Sequence, residues 1–342
     1  MLEPFTLDDA AIALQFVSPD MDRNNWISMA GALKHEFGDM AFDTFDSWSS
    51  GGASYKENDT KTAWKSVKVS GSSKTATIGS LIHLAKEGGY VPHKREYSDE
   101  EKKQFAIKQE EQKKRRAAQA EQDELALVRQ RLRAKKITAE VWAMASIFVA
   151  GPYLQDKKVK PYGLRMLSES LVILYRGDDE HELYRGSGTN HFFNEVRTEQ
   201  SHFHFYKKNT LLVPLYNAKR ERVNLQFINA QGSKKFLKGG QKKDCFHVVG
   251  DVNKSEFVAL AEGYATAATI HEAMGWPVLV AFDAGNLRSV AEAFNGVYPD
   301  KKLIICGDDD IDTEGNPGRT KAEATANAVN GFAFFPNFDE EV

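Results

Sequence analysis

Three acidic residues follow two buried strands that the sequence predicts in its last third. Glu262 comes directly after the apolar run 257–261, and Asp308 and Asp310 come shortly after the apolar run 303–306. Ligands of open α/β sheets bind at the carboxyl ends of the strands. If extended geometry continues past the second run, Asp308 and Asp310 project to the same side. Carboxylates that converge in this way repel one another unless a cation or a proton lies among them.

The cation that these carboxylates favour is Mg²⁺ or Mn²⁺. Hard cations take oxygen ligands, and Mg²⁺ is typically held by one or two carboxylates together with substrate phosphates. Such ions stabilise the attacking and leaving oxygens of an in-line displacement. The pattern therefore indicates a divalent-metal site and phosphoryl-transfer chemistry. The alternative interpretation of 308–310 is a solvated turn that caps the following helix.

Charge is unevenly distributed, although the formal net charge is only −3. The segment 207–243 carries ten Lys and Arg residues against one acid, Glu221, whereas 300–316 carries six acids against two lysines. Lysines attract phosphates, and carboxylates hold the cations that neutralise the remaining phosphate charge. A basic segment followed by an acidic one suits a metal-dependent enzyme that acts on polyanions. The other interpretation is that both segments are simply solvated surface.

The acidic residues must be positioned by an α/β unit that begins near residue 256. Apolar runs alternate with helical patterns, which predicts a parallel sheet with right-handed crossovers. The predicted strands are 257–261, 278–282, 303–306 and 331–335, and the predicted helices are 265–274, 286–294 and 320–329. The strands are almost entirely apolar, as expected when both faces of a sheet are covered.

Upstream, the pattern predicts a strand-rich region that carries the basic segment. Short strands are expected at 171–175, 202–206, 211–216, 223–228 and 246–249, in a mixed or antiparallel sheet. Before them, a helix over 97–136 is polar nearly all round, which is typical of a connector. Residues 1–92 form a small helical region in which Trp26, Trp48 and Trp64 are expected to pack in the core.

The predicted fold is thus a multidomain combination of α/β and α+β units. Four segments are predicted: a helical domain at 1–92, a charged connector helix at 93–136, a strand-rich basic subdomain at 137–250, and a parallel-sheet metal-binding subdomain at 251–342.

Length and composition set limits on these predictions. The chain has 342 residues, 42% hydrophobic and 27% charged, which is ordinary for a globular protein of two or three domains. Two cysteines, Cys245 and Cys306, provide neither a disulfide framework nor a four-thiolate zinc site. Apolar runs fall well short of the ~18 residues of a membrane span, and a signal-peptide pattern is missing, so a cytoplasmic location without membrane association is expected.

Residues 262–267, which read EGYATA, resemble the primase motif of plasmid and satellite-phage primases of the alpha-protein and TraC type. Residues 256–336 resemble a Toprim domain, the metal-binding module of bacterial primases and topoisomerases. In this resemblance Glu262 matches the glutamate at the strand end, and Asp308 and Asp310 match the Asp-x-Asp pair. The runs 283–287 and 314–318 resemble the mobile-element branch of the same family.

The similarity extends upstream of the Toprim-like segment. Residues 211–215, 224–228 and 235–239 resemble the basic subdomain of DnaG-type primases, which faces the metal site and guides template and nucleotides. Residues 6–86 resemble a helical domain of the PriCT-2 type. The positions assigned to nucleic-acid or nucleotide contacts are Lys219, Arg222, Lys234, Lys235, Lys238 and Asn286.

The resemblance implies a DNA primase that makes short RNA primers on single-stranded DNA from nucleoside triphosphates. It also implies a replicative helicase in cis or in trans, either for a stand-alone primase or for a fragment of a longer chain. Glu262 would be a metal ligand or a general base. Two other hypotheses remain: a Toprim nuclease with the same carboxylates, and a non-catalytic module for replication initiation.

Overall fold

The computed structural model describes residues 5–67, 76–92, 98–308, 313 and 316–335. The chain divides into two compact units, Met1–Glu124 and Leu125–Val342. Within the described ranges, no helix is both long and apolar enough to cross a bilayer. Asp310 lies outside these ranges, as does its neighbour Asp309.

The first unit contains short helices packed around an aromatic core. Helices α1 to α5 are Leu7–Leu14, Arg23–Phe37, Phe42–Ser49, Glu57–Ser66 and Ile78–Glu87. The fully buried Phe45 lies with its ring centroid 5.1 Å from Trp26, 5.9 Å from Trp48 and 5.6 Å from Trp64. The three tryptophans therefore pack in the core, as predicted.

A long helix, α6, runs from Asp99 to Met144. The sequence predicted a connector that ends at residue 136, but the helix continues because Ile137 and Val141 are completely buried. Both belong to one apolar cluster with Leu171. The last turns of α6 are thus part of a core, which the polar composition of the earlier turns does not reveal. The predicted domain boundaries stay a prediction.

Among the described residues of the second unit, the strands form three sheets. Strands β1 to β7 are Arg165–Met166, Leu171–Arg176, Glu180–Arg185, His202–Tyr206, Leu211–Tyr216, Arg222–Ile228 and Lys234–Phe236. They make a four-stranded sheet in the order β1-β5-β6-β7 and a three-stranded sheet in the order β3-β2-β4, both antiparallel. The sequence analysis missed β3 and β7, which are exposed or half-buried and lack a strong apolar pattern. Two short helices complete this half: α7, Pro152–Lys157, and α8, Gly188–His191.

The third sheet has five strands in the order β12-β11-β9-β10-β8. Strands β8 to β12 are His247–Val249, Phe257–Ala261, Val278–Val280, Lys302–Cys306 and Phe332–Phe334. Helices α9 to α11 are Tyr264–Met274, Leu287–Val297 and Pro317–Ala328. Strands β9 to β12 are parallel, and one buried cluster covers each face of the sheet. The predicted combination of a helical N-terminal part, a long helix, a strand-rich region and a parallel sheet is confirmed.

The placement of β8 corrects one prediction. The sequence analysis assigned 246–249 to the upstream antiparallel sheet, whereas β8 pairs antiparallel with β10, with His247 opposite Val280. An apolar strand pattern shows that a face is buried, but it does not identify the neighbouring strand.

Candidate active site

Glu262 and Asp308 lie at the carboxyl edge of the five-stranded sheet. Ala261 pairs with Val280 on one side and with Cys306 on the other, so β9, β10 and β11 end at the same level. Glu262 directly follows β9 and is half-buried, whereas Asp308 follows β11 by two positions and is exposed. The structure thus brings these two predicted residues to adjacent strand ends, and the position of Asp310 is not described.

Two glycines shape the chain where it leaves these strands. Gly263 is the N-cap of α9 in extended geometry. A Cβ added to Gly307 would lie 2.6 Å from Ala322 Cβ and 2.8 Å from Phe335 Cε1. A side chain at 307 therefore does not fit, and the glycine lets the segment that carries Asp308 pass closely between its neighbours.

The helix that follows Glu262 is fixed by buried hydrogen bonds. Tyr264 is completely buried, and its hydroxyl donates to the Lys160 carbonyl at 2.7 Å. The same hydroxyl accepts from the Tyr162 amide at 2.6 Å. His247 Nε2 donates to the Tyr162 carbonyl at 2.9 Å, and burial lowers the pKa of this histidine to about 4. A neutral histidine therefore supports the segment that positions α9.

A further carboxylate, Asp283, lies at the same edge and was missed by the sequence analysis. It follows the apolar run 278–282 just as Glu262 follows 257–261, which is the signal that could have found it. Its carboxylate forms an ion pair with Lys242. The preceding residue, Phe282, has a left-handed backbone with φ of 73°, which is an outlier for a bulky residue. Its ring contacts Phe236 edge-on, with the centroids 5.8 Å apart.

The donor chemistry of this edge fits a hard divalent cation. Glu262 and Asp308 offer carboxylate oxygens, while the nearby Cys306 is in the buried core and burial raises its pKa to about 11. Within the described residues, no three or more His, Cys, Asp and Glu side chains lie close enough together to hold a metal ion. A site with Glu262 and Asp308 would therefore need Asp310 or substrate oxygens to complete it.

One predicted lysine lies next to the acidic edge. Lys234, on β7, is exposed, and a Cβ added to Gly263 would lie 3.7 Å from its Nζ. The basic four-stranded sheet thus approaches the residue that follows Glu262. Lys235 and Lys238 are also exposed and lie near the half-buried His204. Burial lowers the pKa of His204, and these two positive charges lower it further.

Two predicted basic residues, Lys219 and Arg222, lie elsewhere. Lys219 belongs to the exposed turn 217–221, in which Arg220 contacts Tyr298 just beyond the C-terminal end of α10. A crossover helix runs opposite to its strands, so this turn is near the amino ends of the strands. The guanidinium of Arg222 stacks on the ring of Trp142, with its Cζ 4.4 Å from the ring centroid. The structure does not bring these two side chains to the carboxyl edge.

Asn286 is inside the protein, in contrast to the predicted contact with nucleotide. It is 4% exposed. Its amide nitrogen donates to the carbonyls of Lys242, Cys245 and Ala281, and its oxygen accepts from the Asp244 amide. Its polar atoms are thus used within the fold.

A basic groove lies beyond β7. Three lysines line it, Lys207, Lys208 and Lys235, together with the partly exposed ring of Phe205, and its volume is about 250 Å³. The sequence analysis counted all three lysines in the basic segment but proposed only Lys235 as a contact. Basic side chains next to an aromatic ring are typical of surfaces that bind single-stranded nucleic acid.

Two family models match separate parts of the chain. Residues 257–334 match the Toprim domain, and residues 10–85 match the family described as Primase C terminal 2, or PriCT-2. The chain contains a Toprim domain. Glu262, Asp283 and Asp308 all lie within it, at its carboxyl edge. The resemblances predicted from EGYATA and from the N-terminal segment are confirmed.

Curated relatives include two proteins named DNA primase TraC, both from Escherichia coli. They are 47% and 45% identical to this chain over 133 residues, which is 37% of the chain. The match spans only 12% and 9% of the lengths of these relatives. The Toprim-containing chain is thus related in sequence to primases over a limited stretch.

Solved structures that resemble the chain include primase domains. One is the DnaG primase catalytic domain bound to ssDNA, with a TM-score of 0.38 and 9% identity over 63% of this chain and 76% of that one. Another is a DNA primase domain from Pseudomonas aeruginosa, with a TM-score of 0.34 and 11% identity over 55% of this chain and 64% of that one.

Proposed function

We propose that the chain is a DNA primase that makes short RNA primers on single-stranded DNA for the replication of a mobile element. The observation that carries the proposal is the position of Lys234 beside Gly263, because it joins a basic surface to the carboxyl edge that bears Glu262 and Asp308. A Toprim domain and sequence relatives named DNA primase support the same activity.

In the proposed reaction, the 3′-hydroxyl of the primer attacks the α-phosphorus of an incoming ribonucleoside triphosphate. The new P–O bond forms as the bond to pyrophosphate breaks, and the hydroxyl proton must leave. Toprim domains generally depend on a divalent metal, which when bound neutralises charge on the triphosphate. We assign Asp308 and Asp310 as ligands of Mg²⁺ or Mn²⁺. Glu262 completes the ligand set or accepts the proton.

The basic residues bind the polyanions in this proposal. Lys234 is placed to contact phosphates of the triphosphate or of the DNA, because its side chain lies beside the residue after Glu262. Lys235 and Lys238, with Lys207 and Lys208 of the groove, contact the template backbone, while Phe205 stacks on a base. Lys219 and Arg222 are left out of this surface, because Lys219 lies in a turn near the amino ends of the strands and Arg222 stacks on Trp142.

A replicative helicase, in cis or in trans, is the partner that this activity requires. Primers are useful only where duplex DNA is being opened, and a primase that binds single strands depends on another protein for that step.

The decisive experiment incubates the full chain with single-stranded DNA, labelled ribonucleotides, and Mg²⁺ or Mn²⁺, beside a Glu262→Ala variant. New short oligomers that disappear in the variant support the proposal. Shortened template in place of oligomers would identify a Toprim nuclease, since the same carboxylates serve both directions of phosphodiester chemistry. Binding of DNA without either product would identify a non-catalytic module.

A further inference from the structure

A loop that carries three lysines connects the basic four-stranded sheet to β8. We define this lysine loop as residues 237–245, which include Lys238, Lys242 and Lys243. It contains no helix or strand, and its backbone closes two turns: the Gly240 amide donates to the Leu237 carbonyl, and the Cys245 amide donates to the Lys242 carbonyl. Two buried asparagines, one on each side, join these turns to neighbouring elements of the fold.

The first asparagine, Asn286, holds the C-terminal part of the lysine loop. Its Nδ2 lies 3.1 Å from the Lys242 carbonyl and 3.2 Å from the Cys245 carbonyl, and its Oδ1 accepts from the Asp244 amide at 3.1 Å. Ser289 donates to the same oxygen at 2.8 Å and fixes the orientation of the amide. One side chain at the start of α10 thus binds three backbone groups of the loop.

The second asparagine, Asn224 on β6, holds the N-terminal part and is completely buried. Its Oδ1 accepts from the Leu237 amide at 3.3 Å, and its Nδ2 donates to the Gln241 carbonyl at 3.1 Å. The loop backbone comes so close that a Cβ added to Gly240 would lie 2.4 Å from Asn224 Cγ. The two asparagines therefore fix the loop at both ends.

These contacts hold the lysine loop against the carboxyl edge of the five-stranded sheet. Lys242 forms its ion pair with Asp283 there, and its Nζ lies 5.5 Å from the Phe236 ring centroid. Phe236 in turn contacts Phe282, which follows β10. Loops without such buried contacts are free to move, and ordering them when a ligand binds costs free energy.

We infer that Asn286 and Asn224 are positioning residues of the proposed primase, which hold the lysine loop in place before substrate phosphates arrive. This inference rests on the proposed function. Neither side chain touches the substrate, and each acts through the lysines that it positions. Asn286 is thus assigned an indirect role, as a positioning residue, in place of the predicted contact with nucleotide.

The test compares Asn286→Ala and Asn224→Ala with Thr325→Val in the full chain. Thr325 is equally buried, and its one hydrogen bond is donated to the Lys321 carbonyl of its own helix, α11. Affinity for a fluorescent oligothymidine is measured at several salt concentrations, together with KM and kcat for primer synthesis and the unfolding free energy. We expect each asparagine variant to weaken DNA binding and raise KM for nucleotide about tenfold, with kcat changed by less than about twofold.

Thr325→Val distinguishes a positioning role from a purely structural one. All three variants are expected to lose stability, but only the asparagine variants lose affinity. Equal affinity and equal KM in all three would overturn the inference. If the asparagine variants do not fold, hydrogen exchange of the unmutated chain decides instead. Protected amides at Leu237 and Asp244 without ligand support the inference, and exchange at the rate of an open chain overturns it.

Failure of the proposed function has a different signature. An unmutated chain that makes no primer but binds oligothymidine would refute the primase while the affinity comparison still tests the asparagines. An unmutated chain that binds no single-stranded DNA would overturn both.

Discussion

Strand β9 is flanked by two glutamates in different surroundings. Glu256 precedes the strand, is exposed, and forms an ion pair with Lys302 at 2.6 Å. That lysine lowers the pKa of its carboxyl group. Glu262 follows the strand, is half-buried, and lies at the level of Asp308 with Lys234 beside the next residue. The same residue type thus serves a surface ion pair at one end and a candidate metal site at the other.

At the amino end, basic side chains make contacts within the protein. Lys301 donates to the Ser255 carbonyl at 2.7 Å, and Arg220 contacts Tyr298. The carboxyl end also contains an internal ion pair, Lys242 with Asp283, but it gathers acids from three strand ends next to Lys234 of the four-stranded sheet. Chain direction explains the difference, because ligands of open α/β sheets bind outside the carboxyl ends of the strands.

The largest expected difference comes from making the same substitution at both ends. Glu262→Gln should lower primer synthesis about a thousandfold, since it removes a charge that acts on the reacting groups. Glu256→Gln should leave the rate within about twofold, because a surface ion pair contributes little. Primer yield per unit time measures both. Similar losses in the two variants would show that the two ends do not differ in function.

Acid should lower the unfolding free energy of the protein through His247, which lies opposite Val280 at the carboxyl end of the sheet. Its folded pKa, about 4, is below its ordinary value of 6.5, so the unfolded chain binds the proton first. Stability is therefore complete above pH 6.5 and falls as the pH decreases towards 4, by about 2 kcal/mol between pH 6.5 and about pH 5. Urea unfolding at both pH values measures the loss.

A His247→Gln variant is the control for that experiment, because glutamine does not titrate. Its stability should change less over the same range. Glu256 titrates later, since its pKa is below the ordinary 4.5, and its contribution is lost only as the pH falls through that lower value. An equally steep loss in the variant would exclude His247 as the source.

Gly307 offers a packing test at the carboxyl end. Gly307→Ala should destabilise the protein by about 1–3 kcal/mol, because the added methyl overlaps Ala322 and Phe335. It should also reduce primer synthesis, since Asp308 is the next residue. Gly296→Ala in α10 is the matched control, because a Cβ there meets no atom within 4 Å and alanine favours a helix by about 0.5–1 kcal/mol. Thermal unfolding measures both. An unchanged melting temperature for Gly307→Ala would contradict the tight packing.

Much of this arrangement follows from the sequence, and the exceptions have physical causes. Glu262 and Asp308 could be predicted because apolar runs end directly before the acids, and parallel strands align their carboxyl ends. The partner of β8 could not be predicted, since a three-residue apolar strand is compatible with several neighbours. The burial of Asn286 was also beyond prediction, because its hydrogen bonds join it to backbone groups about forty positions away, 286 against 242 and 245.

A smaller effect is expected when one lysine is removed at the carboxyl end. Lys234→Ala should weaken nucleotide or DNA binding about tenfold, as for one lost phosphate contact in a low-salt buffer. The slope of log affinity against log salt should decrease by about 0.7 for single-stranded DNA. Titration at several salt concentrations measures it. An unchanged affinity and slope would remove Lys234 from the proposed surface.

The smallest effect is expected for the lysine at the other end. Lys302→Ala removes the partner of Glu256, and both side chains of the pair are more than half exposed. An exposed pair of this kind typically contributes less than about 1 kcal/mol to stability, and the substitution leaves the carboxyl edge intact. We therefore expect a slight change in urea midpoint and unchanged DNA affinity. Since Lys234→Ala and Lys302→Ala remove the same charge, a difference in affinity between them must come from position. Equal losses of affinity would mean that the chain attracts DNA only through its overall charge.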